Sequence, residues 1–198
     1  MIKAPTKADS PGPTRRLTRD DWLCAGADLL ADRGPDALKA EPLARHINTT
    51  KGSFYWHFKD VPDFHAQLLA RWEVAASGPI EALAESGQSA AARLRALAQE
   101  LAQAMADPAT GRITGHIPEA AIRAWAAGNG AARAAVERVG AARHAALQAL
   151  LRESGISNPE MTRIIHAAAL GMAFRAETAP GDHRAAMGTL VDLILALR

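Results

Sequence analysis

The stretch Lys51-Gly52-Ser53-Phe54-Tyr55-Trp56-His57-Phe58 decides how the rest of this chain is read. Phe54 and Phe58 stand four residues apart and share one face of a helix. Lys51, Ser53 and Tyr55 fall on the other face, with Trp56 and His57 nearer the edge. A segment that buries two rings and turns a cation, a hydroxyl and a phenol the opposite way is held by a small core while it touches something outside. Thr50, just before it, can cap the first turn through its hydroxyl.

The residues upstream supply that small core. Thr18 can cap a first helix, with Asp21 at the reciprocal position of a capping box. Trp22, Leu23, Ala25, Gly26, Leu29 and Leu30 form its apolar face, and Gly34-Pro35-Asp36 ends it in a turn. A second helix is expected over residues 40–47, with Leu43, Ala44 and Ile47 inward and Pro42 in the first turn, where a missing amide costs little. Asn48 can take the left-handed conformation after a helix end. Residues 48–50 then make a short turn between two short helices, the geometry of a helix-turn-helix.

In that geometry the N-terminal residues of the second helix read base edges in the major groove of double-stranded DNA. Lys51 can meet a phosphate or a guanine, and Ser53 and the amides after Thr50 can bond phosphate. Gly52 lets a DNA backbone approach closely, Tyr55 can pack on a sugar or a thymine methyl, and Lys59 suits a backbone contact. Each of these residues, taken singly, also fits a solvated surface. So short a module makes few base contacts, so a homodimer on a palindromic site is expected.

Composition adds bounds more than direction. The chain has 198 residues and a formal net charge of +2, and residues 20–60 carry more acids than bases, so overall charge does not argue for DNA. Residues 1–17 read either as a frayed terminus or as a basic arm that follows a nucleic-acid backbone; Lys3, Lys7, Arg15 and Arg16 face the single acid Asp9 there. The stretch lacks the apolar run of a secretion signal. The single cysteine, Cys24, excludes an internal disulfide and a thiolate-rich metal site within one chain. No run of 18 uncharged apolar residues occurs, so neither a membrane span nor a membrane partner is expected, and a cytoplasmic location is.

The 46 alanines and the lack of alternating patterns point to an all-α chain. Its expected organisation is a three-helix helix-turn-helix domain over 18–64 and a helical ligand-binding and dimerisation body over 65–198. A fourth helix is expected from Pro62, broken at Gly78-Pro79, with residues 80–85 short or irregular. Further helices are expected over 89–105, 119–127, 131–153, 160–177 and 182–197. The last two have wide apolar faces: Met161, Ile165, Ala168, Ala169 and Met172, then Met187, Leu190 and Ile194. They fit a two-fold four-helix interface, or else they complete a monomeric core.

Trp72, Met105, His116, Trp125, Met172 and Phe174 combine large apolar faces with a few polar handles, as a small-molecule pocket does, though each also suits ordinary packing. The expected occupant is a small apolar or amphipathic organic effector. His116 near Glu119, or His166 with Glu160 and Glu177, could be proposed as acid–base sets. Neither forms a nucleophile triad, and no His-Glu-x-x-His signature or phosphate-binding glycine loop is present. No enzyme activity, catalytic residue, cofactor or metal is expected. A helical protein-interaction module is the alternative class, and it leaves the residue 51–58 string unexplained.

The string from Trp22-Leu23 through Ala25-Gly26, Leu29-Leu30, Gly34, Leu38, Leu43-Ala44, Ile47 and Thr50 to Phe58 resembles the DNA-binding domain of TetR-family transcriptional regulators. The likeness is close over residues 17–70. Ile122-Arg123-Ala124-Trp125-Ala126 is similar to a segment of some members. The resemblance implies an all-helical homodimer, usually a repressor, released from its operator by a small molecule; an activator is the alternative sign of regulation. It assigns DNA contacts to Thr50, Lys51, Ser53, Tyr55, Trp56, His57 and Lys59, and the dimer interface to the final two helices. Three positions depart from the family pattern: Lys39 where a capping Thr or Ser is common, Thr49 where an apolar residue is, so that a buried hydroxyl needing a partner is expected there, and Val61 where a basic residue opens the fourth helix.

Overall fold

The computed structural model describes residues 16–106, 116–175 and 182–196, and every regular element among them is helical. In chain order these are α1 (Arg19–Arg33), a 3-10 turn (Pro35–Ala37), α2 (Ala40–His46), α3 (Lys51–Phe54), α4 (Val61–Glu85), α5 (Ala90–Ala106), α6 (Glu119–Ala126), α7 (Gly130–Glu153), α8 (Glu160–Arg175) and α9 (His183–Leu195). Residues 1–15 of the expected basic arm lie outside the described residues.

The helix ends follow from local chemistry. Thr18 and Asp21 form a reciprocal capping box at α1: the Asp21 amide donates to the Thr18 hydroxyl at 3.3 Å, and the Thr18 amide donates to the Asp21 carboxylate at 2.7 Å. Gly34, at φ 75°, ends α1 in the left-handed region, and Asn48, at φ 53°, turns the chain between α2 and α3. The Thr50 hydroxyl accepts from the Ser53 amide at 3.3 Å and caps α3. Lys39 heads α2 with no side-chain cap.

Three sequence expectations change. α3 closes at Phe54 instead of running to about His57; residues 55–57 form a turn in which the His57 and Phe58 amides both return to the Phe54 carbonyl at 3.0 Å. α4 runs unbroken through Gly78-Pro79 to Glu85. A proline inside a helix costs about 3 kcal/mol. Here apolar packing offsets it on both sides, with Leu68 and Trp72 buried before it and Ile80 and Leu83 packed after it. Thr49 is half-buried rather than buried, so water can still reach that residue.

Two apolar cores result. The first joins α1–α4 to α6 and the start of α7, through Trp22, Leu29, Phe54, Phe58 and Phe64 to Ile122, Trp125 and Val139. The second joins α5, the later half of α7, α8 and α9, through Leu94, Leu101, Leu147, Ile165, Met187 and Val191. α4 and α7 are long enough to enter both. Among the described residues, no helix is long and apolar enough to cross a membrane.

Candidate nucleic-acid interface and the cavity behind it

α3 has a single turn of its own hydrogen bonds, too few to hold a helix in water. Its ring side supplies the rest. Phe54 is fully buried, in edge contact with Trp22 at 5.4 Å and Phe64 at 5.6 Å between centroids, and Phe58 lies 5.1 Å from Phe54. Arg19 pins the following turn: its Nη2 donates to the His57 carbonyl at 2.6 Å, and its guanidinium lies 5.4 Å from the Phe58 ring. Asp63 fixes the exit, accepting from the Lys59 amide at 3.0 Å and from Gln67 Nε2 at 2.8 Å. The Gln67 bond first, then the Lys59 amide, holds the Asp63 carboxyl below the usual carboxylate range.

With the rings anchored, the other side faces outward. Thr50, Lys51, Gly52 and Lys59 are exposed, Tyr55 is 50% exposed and Trp56 is 89% exposed. An indole so open to water has no packing role inside the chain. A Cβ added at Gly52 would meet only the Thr50 hydroxyl oxygen, at 3.7 Å, so nothing inside the chain demands glycine there. Ser53 and His57 are half-buried, and the His57 ring tilts against Trp22 at 6.3 Å. Val61 packs partly against the first core and offers no charge where α4 begins.

Behind this surface, at the seam between the two cores, lies a cavity of about 170 Å³. Trp72, Ala76 and Ile117 of the first core and Ile80, Leu97, Leu101 and Leu147 near or in the second form its apolar walls. Ala75 and Pro79 also line it; the proline leaves the Ala75 carbonyl without its usual helical donor. Among the described residues, four charged ones reach the lining. Arg71 pairs with Asp20 of α1, and Arg184 Nη1 donates to Glu100 at 2.5 Å. Glu119 is nearly fully buried, accepting from Arg143 Nη1 at 2.6 Å on one oxygen and from Arg123 Nη2 at 2.7 Å on the other. Among the described residues, no group of three or more His, Cys, Asp and Glu side chains is placed to hold a metal.

Residues 23–60 match the family model described as bacterial regulatory proteins, tetR family. The chain is 37% identical over 57 residues to the uncharacterized HTH-type transcriptional regulator YwcC of Bacillus subtilis (strain 168), a match that covers 29% of this chain and 26% of YwcC. Residues 23–60 thus carry the sequence signature of the tetR-family regulatory proteins. The shared stretch is only about a quarter of YwcC, so the activity of that whole protein does not carry over with it. Solved structures extend the likeness in fold to the rest of the chain. A transcriptional regulator from Rhodococcus sp. Rha1 aligns with a TM-score of 0.70 at 20% identity, over 91% of this chain and 97% of that one. FadR from Bacillus subtilis, solved in complex with stearoyl-CoA, aligns with a TM-score of 0.61 at 14% identity, over 89% and 97%.

Within this fold the sequence-assigned groups separate. Thr50, Lys51, Gly52, Ser53, Tyr55, Trp56, His57 and Lys59 stay together on one short segment, although His57 sits partly behind the others. Of the six residues assigned to a pocket, Trp72 and His116 line the cavity. Trp125 packs into the first core with its ring 5.0 Å from His65, and Met172 packs beside the second. The side chains of Met105 and Phe174 lie outside the described residues.

The dimerisation set also divides. Ile165, Ala169, Met187 and Ile194 are buried in the chain's own core, and Met161, Ala168, Met172 and Leu190 border it. Helical spacing turns Ile164, Leu170 and Leu193 outward instead, at 44, 51 and 62% exposure. Sequence reasoning missed Arg71, Arg143 and the structural role of Glu119. The signal for Arg143 was in the register: it stands between Val139 and Leu147, where the apolar stripe of α7 calls for another apolar residue.

Proposed function

We propose that this protein is a DNA-binding transcriptional repressor, acting in the cytoplasm as a homodimer on a palindromic operator and released by a small organic effector bound in its body. The divided character of residues 50–59 carries the reading: both phenylalanines are buried while Lys51, Tyr55, Trp56 and Lys59 are exposed beside them. That arrangement fits a segment laid into a major groove, with cations for phosphates and aromatic edges for sugars and thymine methyls.

The outward apolar groups of α8 and α9 support pairing of two chains, since large exposed aliphatics on adjacent helices favour a partner surface. The cavity supports an effector, and FadR, of similar fold, is a protein solved with a bound ligand. α4 supports communication between the two. Its first turn is capped by Asp60 beside the reading segment, and its middle walls the cavity, where Arg71 reaches across to Asp20 of α1.

Gel-shift titration against two-fold symmetric DNA from the gene's own upstream region tests the reading. The expected result is one shifted species of two chains per site, weakening steeply as salt is raised. Absence of salt-sensitive binding by the ligand-free dimer would sink it.

A further inference from the structure

Among the described residues, Arg143 and Glu119 are the charged groups buried at the seam, and their charges do not balance there. Glu119 gives one negative charge to two guanidiniums, Arg143 and Arg123, which leaves the triad with one positive charge in excess. Arg143 is only 7% exposed and lines the cavity, yet among the described residues Nη1 alone of its nitrogens has an acceptor. A largely buried guanidinium with spare donors at the lining of a mostly apolar, partly open cavity suits an anion. The other charged lining groups are already engaged: Glu100 by Arg184 and Arg71 by Asp20.

The half-buried His166 ring senses the same neighbourhood. Burial first, then His144, then Arg143 and Arg123 hold it below the ordinary imidazole range, against a smaller opposing pull from Glu119. The field from the triad is thus net positive at a group that takes no part in it.

We propose that the cavity takes an organic anion with an apolar body, such as a medium-chain carboxylate, its charged group held by the Arg143 guanidinium and its tail lying between Trp72 and Leu101. This rests on the reading of the body as an effector-binding unit. The lining suits the assignment, because α6 and α7 bring Glu119 and Arg143 to it while α4 and α5 contribute mostly apolar groups, Trp72, Ile80, Leu97 and Leu101 among them, beside the already paired Arg71 and Glu100. The ligand would bridge the two cores at the seam that holds the Glu119–Arg143 pair.

Calorimetric titration of the full chain with decanoate, decanol and decyltrimethylammonium, all below their micelle concentrations, separates charge from tail. Decanoate is expected to bind about tenfold or more tighter than decanol, with the ammonium weakest. Arg143→Met should erase the preference for decanoate over decanol, and Arg143→Lys should keep part of it. Should Arg143→Met fail to fold, Leu101→Trp, which fills the apolar end and spares every charge, is expected to abolish decanoate binding. Decanol or the ammonium binding as tightly as decanoate overturns the anion assignment while leaving an effector site in place. No binding by any of the three overturns both, and operator binding by the free protein stays a separate measurement.

Discussion

The core under the reading segment and the core of the body bury their apolar groups by different means. The first is ring against ring: Trp22, Phe54, Phe58 and Phe64 meet at 5.0 to 5.6 Å, mostly edge to face. The second is aliphatic, built from Leu94, Leu97, Leu101, Leu147, Ile165 and Val191 with Ala98, Ala102 and Ala169 between them. Short helices cannot hold themselves, so the reading unit needs large, stiff groups that lock one another. Long alanine-rich helices hold themselves and approach closely, and where they diverge they leave a cavity with charge buried beside it.

That contrast can be broken most severely at a ring. Phe54→Ala should cost about 3–5 kcal/mol and unfold the reading unit before the body, since it removes the ring that touches Trp22, Phe58 and Phe64 at once. Urea unfolding followed by tryptophan fluorescence checks it, and a single transition of unchanged midpoint would contradict it. In the body the counterpart is charge. Glu119→Gln should cost about 3 kcal/mol, because Arg143 keeps its buried charge and loses its partner. The double variant Glu119→Gln with Arg143→Met should recover much of that loss in thermal unfolding.

Packing tightness gives the next step down. An added Cβ at Gly26 would lie 2.5 Å from Phe64 Cζ, and that ring is held by Phe54 and Phe58. Gly26→Ala should therefore cost about 2 kcal/mol, whereas Gly78→Ala, where a Cβ meets nothing, should leave the melting temperature unchanged or higher.

Tyr55→Ala sharpens the comparison from outside. Stability should stay within about 0.5 kcal/mol, while operator affinity falls about tenfold. Equal loss of both would mean that the ring packs rather than reads. The smallest effect is set by His166, whose folded pKa lies below its unfolded one. The unfolded chain takes up that proton first, so stability is lost as pH falls below about 6.5. His166→Gln should flatten that part of the stability–pH curve, measured by unfolding between neutral and mildly acidic pH.

Much of the reading unit is legible in sequence because its signals are local. The Thr18–Asp21 box, the Thr50 cap, the Asn48 turn and the Phe54–Phe58 pair all act within four residues. The body is less legible because its decisions are made between distant helices. Pro79 is a helix breaker by its own chemistry, and only packing from residues on both sides overrides it. Ile164 and Ile165 look equivalent in a list of apolar residues, and only the direction of the neighbouring α5 and α9 decides which one is buried. Arg143 gave a sequence clue, an interruption in an otherwise apolar stripe, but its meaning depends on Glu119, 24 positions earlier.

The continuity of α4 through Pro79 has a mechanical consequence. A helix of 25 residues spans about 37 Å, and about 21 Å of it separates the cavity wall at Ala75 from the first turn at Val61. On the proposed reading it would act as a lever, pressed at the cavity wall by the bound effector. A tilt of about 5° there displaces the far end by about 2 Å, more than a hydrogen bond to a base edge tolerates. In the proposed homodimer, two such levers swinging in opposite senses about the two-fold axis would double the error in the distance between the paired reading segments, so that a small push would become release from a rigid operator.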